Sequence, residues 1–163
     1  MSEDEVIDVV ANKLRQRGFV ILAEGANQGS AFRFQVASRR SKAPDLVAFH
    51  NGTLVVMEGK IRARDLFVSR PGTESDFDCL TELAGNPTAH ASLMTEAQRR
   101  LEHSSYGRPP ITEIRFGLIA IGLRSTMWPL LDQSSFALIR VSDDATSCSL
   151  EPNKANWADG YLF

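Results

Sequence analysis

The sequence predicts an α/β fold in three layers, a central mixed β-sheet of about five strands flanked by helices, built as a single domain over residues 1–163. Three observations carry that expectation. A helical apolar pattern opens the chain, an Asn51-Gly52 turn joins two strands that are apolar on both faces, and a second helical pattern precedes a nearly unbroken apolar run.

The opening helix rests on Val6, Val9, Val10 and Leu14, which follow helical spacing and end at Gly18. Ser2 and Glu5 have the three-residue separation of a capping box at its start. Phe19 to Leu22 reads as a strand and residues 23–30 as a loop or bend. Phe32 to Val36 alternates with period two, as an edge strand or hairpin arm does. Asp45 to His50 and Thr53 to Ile61 form the hairpin around Asn51-Gly52, a strong signal for a two-residue type I′ turn. Arg64 to Pro87 is rich in turn formers and reads as irregular. Leu93, Met94, Ala97 and Leu101 mark a helix from Ala89 to His103, Ile114 to Leu123 a buried strand, and Phe136 to Val141 another.

Composition matches an ordinary globular chain, with 43% hydrophobic and 23% charged residues. The acidic N-terminus carries no apolar signal core, and no apolar run approaches the roughly 18 residues needed to cross a bilayer, so a cytoplasmic protein is expected. Cys79 and Cys148 lack the pairing of a zinc site and read as ordinary reduced thiols. The net charge of -2 gives no overall positive field for nucleic acid. Positive charge is nevertheless uneven, with Arg33, Arg39, Arg40 and Lys42 before the hairpin and Lys60, Arg62, Arg64 and Arg70 leaving it.

Around a two-residue turn the numbers of facing residues add to 103, which sets Asp45 against Glu58. Facing residues share a side of the sheet with Cβ atoms roughly 4.5–5.5 Å apart, and Lys60, two positions on, shares it too. Val47, Phe49, Leu54 and Val56 accompany this trio, while Leu46, Ala48, Val55, Met57 and Ile61 point the other way. Two carboxylates about 5 Å apart repel by roughly 3 kcal/mol at an effective dielectric near 20. A divalent cation offsets that repulsion and takes oxygen ligands of this kind, so Mg²⁺ or Mn²⁺ is expected on Asp45 and Glu58, with the Gly59 carbonyl as a further ligand. Lys60 then orients or deprotonates the attacking water and stabilises developing charge.

Pro44-Asp45, twelve intervening residues and Glu58-Gly59-Lys60 resemble the motif of the PD-(D/E)XK nuclease superfamily. The likeness reaches upstream through the leading helix ending in Arg17-Gly18-Phe19, and residues 3–62 look like archaeal Holliday-junction resolvases and related restriction-type nucleases. The resemblance implies a restriction endonuclease-like fold in which Asp45 and Glu58 hold Mg²⁺ and Lys60 assists water. It also implies an acid from the first helix. Glu3, on the stripe of Val6 and Val10, is the candidate for it and Glu5 the alternative. Glu3 stands about one helical turn farther from Gly18 than that acid does in the resolvases, where Ile7 would stand.

Some relatives carry a Gln followed four residues later by Tyr. Gln98 is followed at that spacing by Glu102, so the match is partial and a solvated helix residue is the simpler reading. His50, His90 and His103 share no spacing and receive no chemistry. Arg39, Arg40, Lys42, Arg62 and Arg64 are candidates for phosphate contacts, which position a backbone without reading its sequence. Trp128, Trp157, Tyr161 and Phe163 are expected in packing rather than on bases, and Tyr161-Leu162-Phe163 is expected to dock on the body or on a partner. The function expected is a Mg²⁺- or Mn²⁺-dependent endonuclease acting on DNA, in repair, recombination, restriction or defence. The competing expectation is a non-catalytic nuclease-fold module that binds nucleic acid or a protein. A homodimer, or a partner subunit supplying specificity, fits the resemblance.

Overall fold

Three acidic residues in a first turn and a Ser cap favour helix initiation, because they offset the positive end of the helix dipole and satisfy its orphan amides. Helix α1 spans Glu3–Gln16 in the computed structural model, with Ser2 and Glu5 forming the expected capping box. The structure describes residues 1–25, 28, 32–35, 41–69, 71, 74–104 and 107–163. Val6, Ile7, Val10, Ala11 and Leu14 are the buried face of α1. Gly18 turns the chain with a φ of +92°, a conformation glycine adopts without strain.

The six-stranded mixed sheet has the order β1 (Val20–Glu24), β4 (Leu46–His50), β5 (Thr53–Arg62), β6 (Glu113–Ile121), β7 (Ala137–Val141) and β8 (Cys148–Glu151). Strands β1, β4 and β5 are antiparallel neighbours, β6 and β7 run parallel to β5, and β8 returns antiparallel at the edge. Asn51 and Gly52 both have positive φ, as the type I′ turn requires, and the register runs from His50↔Thr53 to Leu46↔Met57 as expected.

The faces of the hairpin separate as the alternation predicts. Leu46, Ala48, Val55 and Met57 pack with α1, while Val47, Phe49, Leu54 and Val56 pack with helices α2 (Asp76–Ala84) and α3 (Pro87–His103). Both sides of the sheet are therefore covered, which explains strands with no polar face.

Five expectations are corrected. The sheet has six strands rather than about five, because the half-polar edge segment Cys148–Glu151 pairs with β7. The stretch from Arg64 to Pro87, expected to be irregular, contains α2, started by Ser75, whose side chain accepts from the Asp78 amide. Helix α3 starts at Pro87 rather than Ala89, since Asn86 caps it and Pro suits the first helical position. Strand β1 continues to Glu24, and the strand expected over Phe32–Val36 is reduced to β2 (Phe34–Gln35), paired with β3 (Ser41–Lys42) in a separate sheet; Val36 lies outside the described residues.

The C-terminal aromatic segment docks on the body. Leu162 is fully buried, the Tyr161 hydroxyl donates to the His50 carbonyl, and the Lys13 ammonium sits 4.7 Å from the Phe163 ring centroid. Cys79 and Cys148 lie in core clusters on opposite faces of the sheet. Among the described residues no helix is long and apolar enough to cross a membrane.

Candidate active site

Asp45 follows Pro44 and enters β4 from a bend, buried to 8% exposure between the two neighbouring strands. Its carbonyl accepts from the Gly25 amide at 2.8 Å, and its own amide donates to the Met57 carbonyl at 3.1 Å. Met57 is already the partner of Leu46, so the ladder slips by one residue at Asp45 and the regular pairing stops short of the expected Asp45–Glu58 pair. The carboxylate reaches in the other direction, with Oδ2 accepting from the Gly59 amide at 2.9 Å. Asp45 thus straddles Glu58, with its backbone on the residue before and its side chain on the residue after.

Glu58 is 1% exposed in the middle of the sheet, paired with Leu118 of β6. A carboxylate so removed from water is costly unless it is compensated, which marks it as more than a strand-end charge. Gly59 faces α1, where a Cβ would lie 2.3 Å from Ile7 Cδ1. Only glycine therefore lets the helix approach the strand this closely without a shift, and the same residue offers its amide to Asp45.

Lys60 returns to the side of Glu58 by alternation. Its ammonium lies 3.1 and 3.2 Å from the two Glu3 carboxylate oxygens and 3.5 Å from Asp76 Oδ2. Burial pulls its pKa down, yet Asp76, Glu3 and Asp45 together outweigh that effect and hold it above the ordinary lysine value. Glu3 and Asp76 are the first residues of α1 and α2, so both acids also sit where a helix dipole favours negative charge. Glu5 remains in the cap, away from Lys60.

The structure brings Asp45, Glu58, Gly59, Lys60 and Glu3 to one end of the hairpin. Asp76 joins them and went unnoticed in the sequence. Ser75, the spacing of Phe77, Leu80 and Leu83, and Gly85 were the signals for a helix that begins with an acid. Arg62 is exposed at the last position of β5 and Arg64 just beyond it, where Arg64 makes a loose 3.8 Å pair with Asp65. Arg39, Arg40 and the side chain of Lys42 lie outside the described residues.

Gln98 is half-buried rather than solvated, and its amide donates to the Pro109 carbonyl at 3.4 Å. It belongs to the hairpin-turn end of the sheet, where Thr112 bonds to Gly52, and not to the site. His50 packs between Phe19 and Tyr161, and His90 bonds through Nε2 to the Leu83 carbonyl. Among the described residues no group of three or more His, Cys, Asp and Glu side chains is arranged to hold a metal. The donors that remain are two carboxylates and a backbone carbonyl, a set that fits Mg²⁺, which keeps several waters and is commonly held by one or two carboxylates. Glu3 lies against Lys60 and so serves it as a counter-charge.

No protein-family model matches the chain, and no curated protein matches it either.

Proposed function

We propose that the chain is a Mg²⁺- or Mn²⁺-dependent endonuclease with a restriction endonuclease-like fold of the PD-(D/E)XK kind, hydrolysing phosphodiester bonds of DNA. The observation that carries this reading is the Asp45 carboxylate held on the Gly59 amide, between the buried Glu58 and Lys60. The order of helix, strand and hairpin, with the motif on the hairpin's adjoining ends, supports it further. When bound, the cation supplies Lewis acidity at the phosphoryl oxygen and lowers the pKa of a bound water.

Asp45 and Glu58 would hold that ion, and the bond from Gly59 fixes the Asp45 carboxylate before the ion arrives. Lys60, kept protonated by its acidic neighbours, donates hydrogen bonds to the attacking water and to the phosphoryl oxygens as negative charge grows there. Arg62 and Arg64 flank the exit of β5 and are placed for non-specific phosphate contacts.

The competing reading is a non-catalytic module with this fold. It draws on a specific observation, the two carboxylates that already occupy the Lys60 ammonium. Incubation with supercoiled plasmid, branched DNA and RNA, with and without Mn²⁺, separates the two. Metal-dependent cleavage lost in Asp45→Asn and Lys60→Ala is the expected result. Absence of cleavage, together with no heat of Mn²⁺ binding in calorimetry, would leave the binding module.

A further inference from the structure

Strands β5 and β6 run parallel and end side by side, with Lys60 paired to Ala120 and Arg62 to Ile121. The two segments that leave them, residues 62–68 and 122–130, therefore emerge at the same end of the sheet as the candidate site. Among the described residues the exposed large hydrophobic side chains are Met1, Val68, Met127, Trp128 and Leu130. All but the first lie in these two segments. A cluster of this kind on an otherwise polar surface marks a contact site.

Its centre is flat and aromatic. The Trp128 ring is stacked on Phe67 with centroids 5.5 Å apart and planes inclined by 4°, and Trp128 keeps 39% of its surface exposed. Phe67 in turn packs against Phe77, the neighbour of the Asp76 that contacts Lys60. Trp128 is anchored by its own loop, where its carbonyl accepts from the amide of the fully buried Leu131. The ring is thus held in place, with Phe67 behind it.

The two segments carry a positive balance of charge. Arg62, Arg64 and Arg124 are exposed in the two segments against a single acid, Asp65. A fixed aromatic plane on segments that carry exposed guanidinium groups complements a nucleobase with its phosphates, because every base offers a π-face and stacking tolerates any sequence.

We infer that Trp128, backed by Phe67 and carried on segments where Arg62, Arg64 and Arg124 are exposed, is a stacking platform for an unpaired base of the nucleic acid whose backbone enters the site at Lys60. Bases inside a duplex are stacked on each other and present no free face to the ring. The substrate class is thereby nucleic acid with single-stranded or splayed nucleotides. This names the substrate of the proposed nuclease and rests on that reading for its chemistry, although binding is measurable without cleavage.

The sequence has two tryptophans, and Trp157 is partly buried with its indole N–H donating to the Ser135 carbonyl at 2.7 Å, so Trp128 fluorescence is isolated in a Trp157→Phe background. The probe is a fifteen-nucleotide oligothymidylate, titrated in the presence of a chelator, with a duplex of equal length alongside. Saturable quenching by the single strand that weakens with salt, and little by the duplex, is expected. In a chain that keeps Trp157, anisotropy of a labelled oligothymidylate should show binding weakened roughly tenfold by Trp128→Ala, the scale of one lost stack. No quenching, equal quenching by duplex, unchanged affinity in Trp128→Ala, or sedimentation as a dimer that Trp128→Ala dissolves would each overturn the inference. The last outcome would assign the patch to a second copy of the chain. Oligothymidylate binding without metal-dependent cleavage of any substrate would sink the nuclease reading and leave the platform standing.

Discussion

The ammonium of Lys60 and the carboxylate of Asp76 meet at 3.5 Å, which ties the last residues of β5 to the first residue of α2. Glu3 approaches the same ammonium from the first residue of α1 at 3.1 Å. The lysine is therefore fixed between the helices on the two sides of the sheet, and its reach toward a substrate phosphate depends on both.

Replacement of Asp76 by Ala leaves Glu3 in place and so should affect position more than charge. The pair is partly exposed, and its contribution to stability is expected to be about 1 kcal/mol or less. The kcat for metal-dependent cleavage is expected to fall about tenfold with KM little changed, and Asp76→Glu should recover part of it. Steady-state kinetics on a nicked-product assay, with melting curves beside them, checks this. An unchanged kcat in Asp76→Ala would remove Asp76 from the site.

Gly59→Ala is expected to destabilise the fold by about 1–3 kcal/mol, because the new methyl overlaps Ile7 Cδ1 inside a packed core. Ile7→Val deletes that atom, so the cost of Gly59→Ala should shrink to less than about 1 kcal/mol in the Ile7→Val background. Denaturant unfolding of the four proteins in the cycle measures the coupling. Equal costs in both backgrounds would show that the contact with α1 is not what demands glycine.

Much of this region is legible in the sequence. The capping box of Ser2 and Glu5, the Asn51-Gly52 turn and the division of the hairpin into two apolar faces all follow from local chemistry and period-two alternation. The slip at Asp45 was not legible, because it comes from a side chain that bonds to the Gly59 backbone, and alternation says nothing about such bonds. Asp76 was hidden for a different reason. Its helix is nine residues long, and the turn formers before it mask so short a period. Strand β8 has only two apolar residues in four and exists because β7 offers it an edge, a tertiary cause.

Alkaline pH should weaken the fold in two separable windows. Burial pushes the Cys148 thiol up from 9.0 to about 11, with Lys13 opposing the shift. The unfolded chain then ionises this thiol first, so the stabilisation is complete below pH 9.0 and disappears as pH rises toward about 11. Lys60 also has a raised pKa, and its attraction to Asp76, Glu3 and Asp45 is fully present below 10.5 and lost as pH rises through the higher folded value. Melting temperatures from pH 7 upward should therefore decline less steeply in Cys148→Ala above pH 9.0, and Lys60→Met should remove the loss that begins above 10.5. Parallel curves for wild type and both variants would contradict the assignment.

Asp45 separates charge from structure. Asn at this position keeps an oxygen that can accept from the buried Gly59 amide, whereas Ala leaves that amide without its acceptor, a loss of about 1–3 kcal/mol. Both substitutions remove the negative charge that a divalent cation needs. Asp45→Asn should then melt close to wild type with its heat of Mn²⁺ binding and its cleavage gone, while Asp45→Ala loses both functions and melts lower. Scanning calorimetry and Mn²⁺ titration of the two proteins test the distinction. If Asn destabilised as much as Ala, the bond to Gly59 would depend on the charge itself, and the carboxylate would be part of the fold as well as of the proposed metal site.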